Sequence, residues 1–136
     1  MKVAPWPQEL ADHYRAQGLW RGETFDDMLR SRAADPQVAP RTAVIDATTG
    51  LTYAELDDHV ARLAAGLVAL GICRDDRVLL QIPNQAEYVI VVFALFRVGA
   101  LPVFGLPAHR ENELVGIAGA AEAVAIVTPR RIGAVD

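Results

Sequence analysis

The stretch NQAEYVIVVFALFRVGALPVFGLPAHR, residues 84–110, decides the fold because it is the most apolar part of the chain. Asn84 followed by Glu87 three residues later predicts a helix start with a capping box, in which both side chains bond free backbone amides. The run 88–96 behind them is apolar on all sides, which is typical of a helix that is covered on most of its surface. We therefore expect a buried helix in this stretch.

A buried strand is expected directly after this helix. Gly99 supplies a helix stop, and residues 101–106 are mostly apolar, with Pro102 near the start of the run. Because proline has no amide proton, it is tolerated at the first positions of a strand. The stretch thus predicts one helix and one strand, around which the flanking segments pack.

The composition limits the class of protein. The 136 residues are enough for one domain with a core, and 52% apolar with 22% charged residues argue against disorder. The net charge of −4 gives no basic surface for nucleic acid. A membrane span needs ~20 apolar residues, and Arg97 interrupts the apolar run, so we expect no membrane partner. A single cysteine, Cys73, excludes an internal disulfide, and the absence of an apolar signal sequence completes the prediction of a cytoplasmic protein.

Two residue types are scarce enough to limit the chemistry. The only lysine is Lys2 and the only serine is Ser31. A Walker-type phosphate loop needs glycines with a lysine and a serine or threonine, and a nucleophile elbow needs a serine between glycines. Neither motif can be assembled from this sequence.

The first 41 residues predict a helical arm. Pro7 begins one short helix, which Gly18 ends. Thr24 begins a second helix through a capping box with Asp27, and residues 35–40 form a loop. We expect residues 1–41 to be an N-terminal arm that lies on the surface of a larger body.

Residues 42–136 predict an α/β subdomain. Strands are expected at 42–46, 77–82, 101–106 and 123–127, with helices between them and a turn at 48–50 that leads into a short return strand at 51–53. Alternating helices and continuously apolar strands favour a parallel sheet with helices on both faces, which gives three layers. Nothing after the last strand closes the edge of the sheet, so we expect residues 42–136 to be an incomplete domain of a longer protein.

Two further helices have clear buried sides. Thr52 and Glu55 predict a capping box, and Gly71 a helix stop, for a helix with an apolar stripe at alternating spacings of four and three. The stripe consists of Leu56, Val60, Leu63, Leu67 and Leu70. For the helix at 111–122, the expected buried residues are Leu114, Ile117, Ala118 and Ala121.

His109 and Arg110 are the strongest candidates for contact with a substrate. They follow Pro107 at the end of a predicted buried strand, and ligands of open parallel sheets gather beyond the carboxyl ends of strands. Arg110 could face an anion and His109 could orient a substrate. We favour the alternative, in which both residues cap the next helix or contact other parts of the protein, because no nucleophile lies near them in sequence.

Other polar clusters have simpler interpretations. Thr48, Thr49 and Gly50 could hold a phosphate, but a hairpin turn is the better interpretation because the flanks are strand-like. Gly116 and Gly119 have helical spacing, which favours close backbone packing without implying a ligand.

Four further residues are weaker candidates for a functional site. His13 and His59 are expected at the surface, and the three dispersed histidines show no metal-ligand spacing. Arg74 beside Cys73 could lower the pKa of the thiol, although a small buried apolar role is more common for such a cysteine. Arg97 is expected to pair with a carboxylate, such as Glu87 or one near Asp136.

Several motifs carry a resemblance to a known superfamily. LTYAEL at 51–56 and FRVGALPVF at 96–104 resemble the first two core motifs of the adenylate-forming superfamily, which includes acyl- and aryl-CoA ligases, luciferases and the adenylation domains of peptide synthetases. WPQEL at 6–10, YRAQGLW at 14–20, VLLQIPN at 78–84 and LPAHR at 106–110 are similar to the N-terminal region of the aryl-acid adenylating enzymes of siderophore biosynthesis. These are the 2,3-dihydroxybenzoate-AMP ligases and their salicylate-using relatives. The resemblance covers residues 6–127.

The resemblance implies an α/β segment of the large N-terminal domain of such a ligase. The whole enzyme would use ATP and Mg²⁺ to convert 2,3-dihydroxybenzoate or salicylate to an aryl-adenylate, and would pass the acyl group to a carrier-protein thiol. The phosphate loop, acyl pocket, ribose-binding Asp and catalytic Lys of the family match no position here. We therefore assign no catalytic, cofactor-binding or metal residue, and expect this segment to bind no cofactor and to be inactive without the rest of the enzyme.

Two alternatives stay open. The chain could belong to another carboxylate-activating enzyme, such as an acyl- or aryl-CoA ligase. It could also be a non-catalytic, stand-alone interaction or nucleotide-binding module.

Overall fold

The structure, a computed structural model, describes residues 5–130 of the chain. Its five helices are α1 (Gln8–Ala16), α2 (Phe25–Ala34), α3 (Tyr53–Ala69), α4 (Ala86–Val98) and α5 (Glu111–Ala121). Its five strands are β1 (Thr42–Ile45), β2 (Gly50–Thr52), β3 (Arg77–Leu80), β4 (Leu101–Phe104) and β5 (Ala125–Val127).

The larger sheet is parallel and has the strand order β4-β3-β5. At its centre, Leu79 pairs with Val103 on one side and with Ile126 on the other. The crossover through α4 runs from β3 to β4, and the crossover through α5 runs back past β3 to β5. Because such crossovers are right-handed, this reversal places α4 and α5 on opposite faces of the sheet. The prediction of an α/β fold with a parallel sheet is confirmed.

One face of the sheet carries the core. Val78 and Leu80 of β3 join residues of α2, α3 and α4 in one buried cluster. Leu95 and Val60 are completely inaccessible to solvent there, which agrees with the prediction that the helix in 84–110 is covered on most sides. We call this side the α3/α4 face.

The stripe predicted for α3 is buried only in part. Leu56, Val60 and Leu67 belong to the core, Leu63 is half-buried, and Leu70 is 82% exposed. Leu70 is the C-cap residue, so it lies past the last residue of the helix. The prediction of burial was therefore wrong at the end of the stripe.

The opposite face, which we call the α5 face, is thinly covered. Leu79 points to this side: its Cδ1 atom and the Cδ2 atom of Leu114 both lie within 3.5 Å of the position that a Cβ on Gly105 would take. The four residues predicted to be buried in α5 are its half-buried ones, but no residue of α5 is fully buried. Val115 on the outer side is 66% exposed.

The first predicted strand does not belong to the parallel sheet. β1 pairs antiparallel with β2 in a separate two-stranded sheet, with Ile45 opposite Gly50. The chain reverses within a short turn, and such a turn can connect only antiparallel neighbours, whereas parallel strands need a long crossover. β3 and β4 are also shorter than predicted, ending at Leu80 and Phe104.

The predicted cap of α4 was wrong. Gln85, not Asn84, is the N-cap residue, and no side chain of its own segment caps the helix. The amide of Ala86 instead donates a 2.8 Å hydrogen bond to Oδ2 of Asp46, which lies 40 residues earlier. A tertiary contact has replaced the local capping box.

The other two capping boxes are confirmed. Asp27 N donates to Oγ1 of Thr24 at 3.1 Å, and Thr24 N donates to Oδ2 of Asp27 at 2.9 Å. Thr52 and Glu55 make the same pair of bonds at the start of α3. In each case both partners lie within four residues, which is why sequence alone identified them.

The first two helices differ in how they pack. Leu29 of α2 is 2% exposed and belongs to the core cluster, whereas α1 is accompanied by an aromatic group made of Trp6, Tyr14 and Trp20, with ring centroids 5.4 to 6.3 Å apart. The sequence predicted that Pro7 is the first residue of α1. In the structure Pro7 is the N-cap residue, and α1 begins at Gln8. The division of the chain at residue 41 stays a prediction.

Candidate functional site

The loop that follows β4 lies at the carboxyl ends of the parallel strands. Its anchor is Gln81, the residue after β3, which is 6% exposed. The side-chain amide of Gln81 donates to the carbonyl oxygens of His109 at 2.8 Å and of Leu106 at 3.2 Å. One buried amide therefore fixes both ends of the loop 106–109.

His109 stabilises the same loop from within. Its Nδ1 atom accepts a 3.1 Å hydrogen bond from the backbone amide of Leu106. An accepting Nδ1 requires the tautomer that carries its proton on Nε2 when the ring is neutral. The ring is half-buried, while Leu106 at the other end of the bond is 62% exposed.

Arg110 begins α5, as the favoured interpretation of the sequence expected. It is the N-cap residue, and its backbone amide donates a 2.9 Å hydrogen bond to Oε2 of Glu113. This hydrogen bond lowers the pKa of Glu113. The side chain of Arg110 is exposed, so its guanidinium group is available to whatever approaches this end of the sheet.

A second polar junction connects the hairpin to the same end of the sheet. The Oδ1 atom of Asp46 accepts bonds from the amides of Thr48 and Thr49, both at 2.8 Å, while Oδ2 accepts from Ala86 N. These amide donors, led by Thr48, lower the pKa of Asp46 to about 2. Thr48 and Thr49 therefore lie in the predicted hairpin turn, and Gly50 is the first residue of β2.

Sequence reasoning missed Gln81 and Asp46. The signal for Gln81 was a polar side chain directly after the apolar run 78–80, and for Asp46 an aspartate at a strand end before two threonines. Asp residues in that position commonly bond the amides that follow. Neither pattern reveals the distant partner, which in each case is more than 20 residues away.

Arg97 forms an ion-pair network on the α3/α4 face. Its Nε donates to Oδ1 of Asp26 at 2.7 Å, and its terminal nitrogens donate to Oδ1 and the backbone oxygen of Asp57 at 2.5 and 3.2 Å. Burial by itself lowers the pKa of Arg97, but the hydrogen bonds to the two aspartates outweigh it and raise the pKa. The side chain is 16% exposed.

The prediction that Arg97 pairs with a carboxylate is confirmed, but Glu87 is not its partner. Asp26 and Asp57, on α2 and α3, take the place expected for Glu87, and Asp136 lies outside the described residues. The network joins three helices. We assign it a structural role.

Cys73 fits neither of the interpretations offered for it. The residue is exposed, not buried, and its Sγ donates to Oδ2 of Asp76 at 3.2 Å. This hydrogen bond and the negative charge of Asp76 raise the pKa of the thiol. A carboxylate, and not Arg74, therefore controls its protonation.

The remaining candidates contribute no site. His13 is exposed and His59 is half-buried, with its Nδ1 atom 3.2 Å from a terminal nitrogen of exposed Arg62, so the prediction of surface placement is confirmed for the first and in part for the second. Gly116 and Gly119 have no atom within 4 Å of the position that a Cβ would take, so nothing in residues 5–130 packs closely on them. Across that same part of the chain, no group of three or more His, Cys, Asp or Glu could hold a metal ion. Nor does it contain a helix that is long and apolar enough to cross a membrane.

The chain belongs to the AMP-binding enzyme family, whose model matches residues 31–136. It is 51% identical to the 2,3-dihydroxybenzoate-AMP ligase of Bacillus subtilis (strain 168) over 125 residues, which are 92% of this chain and 23% of that enzyme. It is 44% identical to the salicyl-AMP ligase / salicyl-S-ArCP synthetase of Mycobacterium tuberculosis over 90% of this chain and 22% of the relative.

A solved structure supports the same assignment. The apo structure of Mycobacterium smegmatis MbtA superposes on this chain with a TM-score of 0.84 and 47% identity, covering 91% of this chain and 23% of that protein. The chain thus spans about a quarter of the length of the relatives that it matches. The resemblance stated from the motifs is confirmed, including its narrower form, the aryl-acid-AMP ligases.

Proposed function

We propose that this chain is the N-terminal portion of an aryl-acid-AMP ligase that activates 2,3-dihydroxybenzoate or salicylate for siderophore biosynthesis. The observation that carries the proposal is the 51% identity to a 2,3-dihydroxybenzoate-AMP ligase across nearly the whole chain. Relatives that use salicylate support the same substrate class. The proposed setting is the cytoplasm, as the sequence predicted.

The proposed reaction has two steps. A carboxylate oxygen of the aryl acid attacks the α-phosphorus of ATP, the bond between this phosphorus and the α,β-bridging oxygen breaks, and aryl-adenylate and pyrophosphate form. The thiol of an aryl carrier protein then attacks the acyl carbon, loses its proton, and displaces AMP. Such steps depend on positioned charge around the phosphate.

Among residues 5–130, no group of three or more His, Cys, Asp or Glu is placed to hold a metal ion. The sequence contains no phosphate loop with a lysine that could bind ATP. The proposal therefore assigns ATP, Mg²⁺ and the catalytic side chains to other residues of the longer enzyme. The role of this chain would be that of a scaffold, with residues 1–41 as an arm and 42–136 as a partial subdomain against which the rest of the enzyme packs.

A chimeric enzyme tests the scaffold role of this chain; the choice of aryl acid is not tested, because the acyl pocket of the chimera comes from the B. subtilis part. This chain replaces the matched 125 residues of the B. subtilis ligase, and ATP–pyrophosphate exchange that depends on 2,3-dihydroxybenzoate or salicylate is measured. We expect the chimera to support exchange, and the same ligase without the segment to support none. A monodisperse chimera that exchanges with neither acid would contradict the proposal.

The predicted inactivity of the segment has its own measurement. The purified 136-residue chain is expected to show no exchange with either aryl acid, because it lacks the phosphate loop and the catalytic lysine of the family. Exchange by the chain alone would contradict this part of the proposal while leaving the assignment to the family intact.

One alternative acceptor has support. The chain is 40% identical to a salicylyl-CoA synthase / salicylate adenylyltransferase of Streptomyces sp. over 97% of its length, so coenzyme A could replace the carrier protein as acyl acceptor. The chimera cannot decide this, since the acceptor site would come from the B. subtilis part. The coding sequence downstream of residue 136 can decide it: a reading frame with a glycine-rich Ser/Thr loop and lysine confirms the ligase, and its expressed product is assayed with both acceptors.

A further inference from the structure

A cavity of about 590 Å³ lies where α2, β1, α3 and α4 meet. Its volume falls in the range of ~300–1,000 Å³ that is usual for small-molecule sites. Leu29, Val44 and Leu56 form part of its wall, together with the aromatic rings of Tyr53 and Phe93. Neither Gln81 nor any residue of the loop 106–110 lines it.

The charged residues of the cavity are all of one sign. Arg32 and Arg41 line it, and no aspartate or glutamate does, although the chain as a whole has a net charge of −4. Within residues 5–130, one protein hydrogen bond uses these two guanidinium groups: Arg41 Nε donates to the backbone oxygen of Gln37 at 3.1 Å. Their other N–H groups are available for an anion.

We propose that this cavity binds an aromatic monocarboxylate. The planar guanidinium group matches a carboxylate through two parallel N–H donors, and the apolar and aromatic walls suit a flat ring. A polyphosphate is disfavoured, because most of this wall is apolar side chains and two cationic groups line it, too few to balance several buried negative charges. The site would operate without ATP and therefore goes beyond the proposed activity.

Photolabelling tests the proposal on the purified 136-residue chain and, in parallel, on the chimera. 4-Azidobenzoate is the probe, 4-azidobenzamide is its uncharged counterpart, and labelled peptides are mapped by mass spectrometry. We expect azidobenzoate to label peptides from residues 28–56 or 89–93, and 2-naphthoate to compete with it while acetate does not. In the chimera, label on B. subtilis peptides would report the substrate site separately.

Three variants test whether labelling depends on the two arginines and on the space in the cavity. Arg32→Gln and Arg41→Gln together are expected to reduce labelling about tenfold, because the loss of charged hydrogen bonds weakens binding by about that factor. Ala43→Leu narrows the cavity and is expected to reduce labelling with both arginines present. Arg74→Gln removes another exposed cation that does not line the cavity and should change nothing.

Several outcomes would overturn the proposal. They are the absence of label from residues 28–56 and 89–93 in both proteins, equal labelling by the uncharged probe, and labelling that survives the double arginine substitution. Because both arginines are exposed, their replacement should leave folding intact, which circular dichroism checks. Failure here would leave the exchange activity of the chimera unaffected, so the two proposals can fail independently.

Discussion

The two faces of the parallel sheet are built from the same strands but differ in how completely they are covered. On the α3/α4 face, Val78 and Leu80 lie under two helices whose inner residues are inaccessible to solvent. On the α5 face, Leu79 is the buried strand residue, and α5 has no fully buried residue of its own. Because successive side chains along β3 point to opposite faces of the sheet, both faces receive a leucine. The helices that cover each face then determine which one becomes a core.

The stability of residues 5–130 should therefore come mainly from one face. Buried apolar area contributes to stability in proportion to its extent, and most of it lies between α3, α4 and β3. In the proposed longer enzyme, we expect additional protein to pack on the α5 face. Four pairs of substitutions test whether the α3/α4 face contributes more to stability than the α5 face.

The largest difference is expected between two leucines on opposite faces. Leu95→Ala leaves a cavity in a fully closed site and should lower the free energy of unfolding by about 3 kcal/mol. Leu114→Ala, on half-buried α5, should cost about 1 kcal/mol because solvent reaches the space that it leaves. Urea unfolding followed by circular dichroism measures both, and equal losses would remove the distinction between the faces.

Ion pairs give the second comparison. Arg97→Ala leaves the carboxylate of Asp26, whose side chain is 12% exposed, without its closest partner, and should cost about 3 kcal/mol. Arg77→Ala on the other side removes bonds to the carbonyl oxygens of Ala121 and Glu122, and should cost about 1 kcal/mol. The same urea titrations apply, with Arg62→Ala as an exposed control.

The residues in these two comparisons show which features of the fold could be predicted from the sequence. The helices, the parallel strands and two capping boxes follow from patterns that lie within a few residues, so they could be predicted from the chain alone. The partners of Arg97 could not, because Asp26 and Asp57 are 71 and 40 residues away and only the packing of three helices brings them together.

The candidate site shows the same limit. The sequence identified the loop that ends at Arg110 from its position after a buried strand, and the structure confirms that Arg110 begins α5. It did not reveal that Gln81 holds the loop, or that Asp46 caps α4 in place of Asn84. Both contacts depend on which strand ends meet, and that information is tertiary.

Helix caps give a smaller comparison between the faces. Thr52→Ala removes the side-chain acceptor of the Glu55 amide and should cost about 1 kcal/mol, because α3 carries much of the core. Glu113→Ala removes the acceptor of the Arg110 amide at the start of α5, which is the reciprocal bond of a capping box, and should have a smaller effect on global unfolding. Hydrogen exchange of the first-turn amides separates local fraying of α5 from loss of overall stability. A larger effect at Glu113 than at Thr52 would reverse the ranking of the faces.

The smallest expected effect concerns the acid sensitivity of the hairpin, which packs on the α3/α4 face. The folded-state pKa of Asp46, about 2, lies below its ordinary value of 3.8. A carboxyl whose pKa is lowered by folding contributes stability above its unfolded pKa and loses that contribution as the proton binds. The bonds from Asp46 to Thr48, Thr49 and Ala86 should therefore weaken as the pH falls from about 4 to about 2. Asp46→Asn should flatten the dependence of the urea midpoint on pH in this window, and Glu113→Gln serves as the control on the α5 face. If Glu113→Gln flattened the profile more than Asp46→Asn, acid would act mainly through α5, and the docking of the hairpin on α4 would not be the pH-sensitive contact.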